Sequence, residues 1–291
     1  MKTASGFILG CVILGMGVSV VTARQDGVPS GQQATRPARV PPELSDVLVH
    51  SPLDGCSPVA SVGPNTRERL RIATWNIRAA LSAPVDAIAA EVATMQADIV
   101  ALQEVDLRTR RSGFVDEPAT LATALGFHYA FAASIKWDEG DYGLAILSRF
   151  PLTDVRRHRL DATTATEPRI VLQATVCAGK RPLHLFNHHA DGWAGSRAAG
   201  FGELREILRP YMGRGLFVVG DFNEQPDGPA VGGLFDTGLV DLGAELGIRT
   251  ENRRRIDYLL ADRSLAGLSS RVRVWPTEKS DHHAMLADLE W

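Results

Sequence analysis

Cysteine is scarce in this chain, with 3 in 291 residues, too few for a small disulfide-built scaffold or a thiolate metal cluster. A surplus of positive charge is also missing. The formal charge is −3 and the pI near 6.2, so no global field draws the molecule to nucleic acid, although a local basic rim would suffice. There are no internal repeats and no low-complexity tracts. The one uncharged apolar run, Phe7 to Val21, is shorter than the roughly 20 residues that a membrane-spanning helix needs. No Ser or Cys nucleophile motif is evident either, so nothing calls for a covalent enzyme intermediate.

What is present starts with Lys2, the apolar run, and Val21-Thr-Ala23 before Arg24. That is the layout of a secretory signal peptide, with cleavage expected after Ala23 and a secreted or periplasmic product; an uncleaved anchor is the alternative. Cys11 follows Gly10 as a lipoprotein cysteine would, but most of the apolar stretch comes after it. With the signal removed, Cys56 and Cys177 remain. They either form one long-range disulfide or stand as two small apolar residues.

Residues 24–67 are rich in Pro, Ser, Gly and Gln and read as a linker or irregular segment. From about residue 68 the chain alternates β-branched runs with helical stretches. Strands are expected at Leu70–Ile77, Asp98–Gln103, Tyr129–Ala132, Leu144–Leu147, Arg169–Val176, Leu183–Asn187, Leu216–Val219, Ile256–Leu260, Val272–Trp275 and Ala284–Leu289. Helices are expected at Pro84–Gln96, Ala119–Leu125, Arg197–Leu208 with Ser196 as N-cap, and Pro229–Phe235. The balance favours α/β layers.

Polar residues recur where these apolar runs stop: Asn76, Glu104, His189, Asp221 and Asn223. One such residue is an ordinary turn former; the recurrence is what points to a site mounted on strand ends. Glu104, Asp221, Asn223 and Asp281 offer hard oxygen donors, which suit Mg²⁺ or Mn²⁺ better than zinc. His189 and His282 are candidate proton carriers, and Asp257 is placed to orient His282 and stabilise its charged form. The run His188-His189-Ala190-Asp191 also invites a zinc-hydrolase reading, but the alternating His pattern of the metallo-β-lactamase type is absent.

Seven segments stand in one order: Thr74-Trp75-Asn76-Ile77, Leu102-Gln103-Glu104-Val105, Tyr142-Gly143 through Ser148-Arg149-Phe-Pro151, Asn187-His188-His189, Gly220-Asp221-Phe222-Asn223, Arg255-Ile256-Asp257-Tyr258 and Ser280-Asp281-His282. From residue 70 to the C-terminus the chain thereby resembles the endonuclease/exonuclease/phosphatase superfamily of deoxyribonuclease I-like, metal-dependent phosphoesterases. The resemblance implies a four-layer α/β sandwich, two packed mixed β-sheets flanked by helices, over residues 68–291. It implies Glu104 as principal metal ligand with Asn76 and Asp281 near the ion, Asp221 on the attacking water, and Asn223 and His189 on the phosphate. His282 with Asp257 would form the second proton-handling pair. Glu167 falls where some members place the carboxylate partner of the first His. The family pattern Asn-Thr-His-Leu is here Asn187-His188-His189-Ala190, so His189 is chosen by its distance from Asn187, and His283 is taken as a bystander.

The implied reaction is in-line attack of water on phosphorus in a secreted hydrolase, on a phosphodiester of nucleic acid or of a lipid or small molecule, by a monomer. Two arginine groups, Arg108, Arg110 and Arg111 after Glu104 and Arg253, Arg254 and Arg255 before Asp257, are candidates for holding phosphate; Arg111 and Arg255 are the ones singled out. Trp137 and Tyr142 flank an acidic loop and are candidates for stacking on a base or dipping into lipid. A binding protein that keeps the fold without turnover is the alternative from another class.

Overall fold

A strand buried on both faces reads as an unbroken apolar run, and several segments of this chain do so. In the computed structural model, which describes residues 47–51, 69–161, 167–178, 182–246 and 254–290, these runs build two sheets. The described residues fall within one compact unit, Pro41–Trp291; the other, Met1–Val40, lies outside them, and so do the expected signal peptide and Cys56. Cys177 is disulfide-bonded to a partner outside the described residues. None of the described helices is long and apolar enough to cross a membrane.

The first sheet holds β1 (Val47–His50), β2 (Arg69–Asn76), β3 (Ile99–Leu107), β4 (His128–Trp137), β5 (Gly140–Ser148), β12 (Ser269–Trp275) and β13 (Ala284–Glu290), in the order β1-β4-β5-β3-β2-β13-β12. The second holds β6 (Leu152–Leu160), β7 (Arg169–Val176), β8 (Leu183–His189), β9 (Leu216–Asp221), β10 (Val240–Asp241) and β11 (Asp257–Ala261), in the order β10-β11-β9-β8-β7-β6. Each sheet has one central parallel pair, β2 with β3 and β8 with β9, and is otherwise antiparallel.

The period of two along each strand sorts the core into layers. Ile99 and Ala101 face the space between the sheets, where they meet Leu172, Leu185, Phe217 and Val219. Val100 and Leu102 face the other way, onto α1 (Val85–Met95) and α2 (Glu117–Leu125) through Ile88, Val92, Met95 and Leu121. On the second sheet Phe186, Leu216 and Val218 face α3 (Ala194–Leu208) and α4 (Pro229–Phe235) through Phe201, Leu204 and Leu234. Helix, sheet, sheet, helix is the expected four-layer order. A short α5 (Arg263–Ala266) follows β11.

Several boundaries depart from expectation: β3 runs on to Leu107, β4 to Trp137, and β6 was not expected. Ser196 is not the N-cap of α3: the helix begins three residues before Arg197, with Trp193 at the N-cap position and no side-chain cap bond, and Ser196 lies buried in its first turn with Oγ unpartnered. Inside the segment read as linker, Val47–His50 pairs antiparallel with Tyr129–Ala132 as the edge strand β1.

Candidate active site

The parallel pairs bring the C-terminal ends of β2, β3, β8 and β9 to the same end of the two sheets, and their terminal residues meet across the layer. Asn76 Nδ2 donates to Glu104 Oε1 at 2.8 Å and to Asp221 Oδ2 at 3.1 Å, so one amide ties both sheets. Beneath it a buried polar layer repeats the tie. Gln103 Nε2 donates to Thr74 Oγ1 at 3.0 Å and Asn187 Oδ1 at 2.7 Å, while Asn187 Nδ2 donates to the carbonyls of Leu102 and Ala145.

Glu104 reaches this point because β3 carries a bulge. Leu102 pairs with Ala145 and Val105 with Gly143, so three steps on β3 match two on β5. Glu104 sits in the bulge with φ 55°, a left-handed conformation that costs a non-glycine residue about 1 kcal/mol or more, and its side chain is thereby re-aimed. Asn223 also has positive φ, 50°, which asparagine tolerates, and its N–H donates to Asp221 Oδ1 at 2.9 Å. Before it, Gly220 has φ 137°, and a Cβ there would fall 1.8 Å from the His188 carbonyl oxygen. Only glycine lets β8 and β9 approach closely enough to present Asp221.

Asp221 Oδ2 is the hub: His189 Nε2 lies 3.6 Å away and His282 Nε2 3.7 Å away. His282 is held from below, its Nδ1 2.9 Å from Asp257 Oδ2, and its carbonyl accepts from Trp75 Nε1 at 3.0 Å. Ser280 Oγ, donating to the Asn76 carbonyl at 2.7 Å, anchors the loop that carries it. Burial opposes the charge on His282, yet the hydrogen bond and charge of Asp257, then Asp221 and Asp281, hold the imidazole up at about 9. Burial and the neighbouring Asp257 push the Asp221 carboxyl upward, against the pull of His282, Asn223 and Asn76.

His189 is the opposite case. Burial first, then the Arg169 guanidinium, hold it well below the usual imidazole range, so it is neutral. Arg169 Nη1 lies 3.3 Å from its Nδ1. A guanidinium can only donate, so Nδ1 accepts and the ring proton sits on Nε2, toward Asp221. Asn223 Nδ2 donates to the Ala190 carbonyl at 3.0 Å and lies 3.2 Å from Nε2, a contact between two donors in this tautomer and not a hydrogen bond. His188 points the other way, onto Phe201 and Phe222, its Nδ1 3.0 Å from the Ile170 carbonyl oxygen; burial pushes it down to about 4. His283 turns away as well, accepting from the Thr277 N–H at 3.2 Å.

Several expected placements change. Glu167 is not the direct partner of His189: it pairs with Arg169 at 2.8 Å, and Arg169 stands between them. Arg111 is committed to Asp106 through two bonds of 2.7 Å and lies between Trp137 and Tyr142, 5.5 and 5.4 Å from their ring centres. Arg255 is buried, paired with Asp241 and set over the Tyr258 ring. Each guanidinium is paired with a carboxylate, and that of Arg255 is buried as well, while Arg111 keeps part of its side chain exposed. Asp281 is the most exposed of the acidic set; it lies 3.3 Å from Ser280 Oγ and faces Arg78 at 3.5 Å. Arg169 and the Gln103–Asn187 layer escaped sequence reasoning. The proximity of Arg169 to Glu167 was the available signal for the first.

The donor chemistry suits a hard divalent cation. Glu104, Asp221, Asp257 and Asp281 concentrate carboxylates around Asn76, with His282 and Arg78 as the cations facing them. Asp221, Asp257 and His282 also form a group whose ligand atoms lie within 4.8 Å of one another, as a metal site requires. His282 held charged by Asp257 is a poor ligand, since binding a metal demands neutral imidazole. On the other side Asn76 takes up only one of the two Glu104 oxygens.

Solved structures share this architecture. An endonuclease/exonuclease/phosphatase family protein from Bacteroides thetaiotaomicron matches with a TM-score of 0.62 at 18% identity, over 78% of this chain and 99% of that one. An AP endonuclease from Archaeoglobus fulgidus matches at 0.61 and 20%, over 75% and 98%. A mannosyl-6-phosphatase from Bacteroides thetaiotaomicron VPI-5482 matches at 0.59 and 19%, over 75% and 98%. At such identities the likeness is one of fold. A search of curated proteins finds no match. The family model described as Endonuclease/Exonuclease/phosphatase family matches residues 73–282; the span takes in Asn76, Glu104, His189, Asp221, Asn223, Asp257 and His282, and the chain belongs to that family of phosphoesterases.

Proposed function

We propose that the protein is an exported, divalent-metal-dependent hydrolase that cleaves a phosphate ester of nucleic acid, lipid or a small molecule by in-line attack of water. The observation that carries the reading is the convergence on Asp221 Oδ2 of Asn76 Nδ2 at 3.1 Å, His189 Nε2 at 3.6 Å and His282 Nε2 at 3.7 Å. A carboxylate between two imidazoles suits the orientation of a water molecule. The two imidazoles present donors beside it, one neutral and one charged.

Glu104 and Asn76, with Asp281 beyond them, would hold Mg²⁺ or Mn²⁺, which supplies Lewis-acid stabilisation of charge on the phosphoryl oxygens. Asp221 orients the nucleophile. Asn223 and His189, through Nε2–H, donate to phosphoryl oxygens. His282, kept protonated by Asp257, stabilises the negative charge that grows in the transition state and is positioned to give up its proton. Arg169 fixes the His189 tautomer and is itself steadied by Glu167.

Purified protein should hydrolyse bis-p-nitrophenyl phosphate with Mg²⁺ or Mn²⁺, stop on addition of EDTA, and lose turnover as Glu104→Ala or His282→Ala. Folded variants with full activity, or turnover indifferent to EDTA, would overturn the assignment. Export is tested by the mass of the mature chain, which should begin at Arg24.

A further inference from the structure

Seven large apolar side chains stand exposed among the described residues, and four of them lie at the catalytic end of the sheets, Leu81, Phe114 and Trp193 on loops and Trp137 at a strand end. Leu81 follows the exit of the chain from β2 past Asn76. Phe114 is on the loop that leaves β3 beyond Glu104, and Trp137 ends β4 at the hairpin turn into β5. Trp193 lies just past His189, on the opposite sheet. Their exposures are 55%, 55%, 47% and 61%. Single exposed apolar residues need no explanation, but a set around one mouth marks an interaction surface.

The charge around them is cancelled locally. Arg78 faces Asp281, Arg108 faces Asp116, Arg110 faces Asp138 and Glu139, Arg111 faces Asp106, Lys136 faces Asp141, and Arg169 faces Glu167. A surface built for a polyanion leaves its cations open to phosphates and gains from counterion release; these six each carry their own carboxylate. Large apolar side chains in a charge-balanced setting match a surface that is itself apolar beneath and neutral on top, where tryptophan and aliphatic side chains partition well.

We propose that these four side chains form a collar that seats the mouth of the site on a lipid surface with net-neutral headgroups, placing the catalytic residues where lipid phosphate esters lie. The choice of substrate phase rests on the phosphoesterase reading; the seating does not. The test is sedimentation of the purified protein with phosphatidylcholine vesicles at low and high salt, beside a Phe114→Ser/Trp193→Ser variant, whose serine at 193 is a good N-cap for α3. The wild type should sediment equally at both salt levels and the variant about tenfold less, with bis-p-nitrophenyl phosphate turnover unchanged. A wild type that stays in the supernatant, a variant that sediments equally well, or binding seen only with anionic vesicles or single-stranded DNA and lost in salt would each overturn the collar. Vesicle binding without any turnover of the soluble ester would uphold the collar and sink the phosphoesterase reading alone.

Discussion

The two walls of the site are built differently. On the wall from the second sheet, His189, Asp221, Asn223 and Asp257, with His282 leaning onto them, are tied to one another by hydrogen bonds or close contacts, and all but Asn223 are buried. On the other, Glu104 is partly exposed and takes a hydrogen bond from Asn76, and Asp281 faces solvent and Arg78. On the function proposed above, the contrast assigns the two walls different tasks. Groups that stabilise developing charge must be oriented in advance, because reorganisation raises the barrier. Groups that take up a hydrated cation need oxygens not already committed.

The sharpest way to break this comparison is at the hub. Asp221→Asn should lower kcat about 10³-fold with the metal requirement unchanged, measured on bis-p-nitrophenyl phosphate; a tenfold or smaller loss would erase the distinction between the walls. Glu104→Gln should cost about 10²-fold at low metal and recover as Mg²⁺ is raised, because the change weakens uptake of the ion. If raising the metal restores nothing, the open wall is not the metal wall.

Titration sharpens the same point. His282 is held up at about 9, so it is charged below that pH and loses its proton as pH rises through it. If the charged imidazole is the working form, activity should hold below about 9 and fall above. Asp257→Asn, which removes the largest cause of the raised value, should bring the falling limb to lower pH. A limb that does not move would show that another group sets it.

The smallest expected effect concerns what joins the walls. Gln103→Leu leaves Asn187 Oδ1 and Thr74 Oγ1 without the amide donor they share, and should destabilise the fold by about 1–3 kcal/mol in urea unfolding. KM should stay near the wild-type value while kcat falls, since the sheets lose register rather than a substrate contact.

Strand positions were legible as apolar runs, but not all of their ends: β3 runs to Leu107 and β4 to Trp137, past the expected Gln103 and Ala132. Arg169–Val176 and Pro229–Phe235 match the expected bounds, and of the two adjacent rings it is His189 that faces Asp221 and His188 that packs on Phe201. β6, Leu-Thr-Asp-Val-Arg-Arg-His-Arg-Leu, was not legible: as an edge strand it exposes alternate polar side chains and shows no apolar run. The left-handed bulge at Glu104 was hidden as well, since it is defined by the partner strand and not by the residues in it.

The chain itself, by the spacing of apolar runs and the order of its motifs, determined the layered class and the family, and it named the acidic and imidazole residues that the proposed site uses. Only the tertiary structure decided which neighbour each group has. It put Arg169 rather than Glu167 against His189, closed Arg111 and Arg255 onto Asp106 and Asp241, and hung both walls from Asn76. The physical reason is that charge state and partner depend on atoms a few ångströms away in space, and those atoms are supplied by strands far apart in sequence.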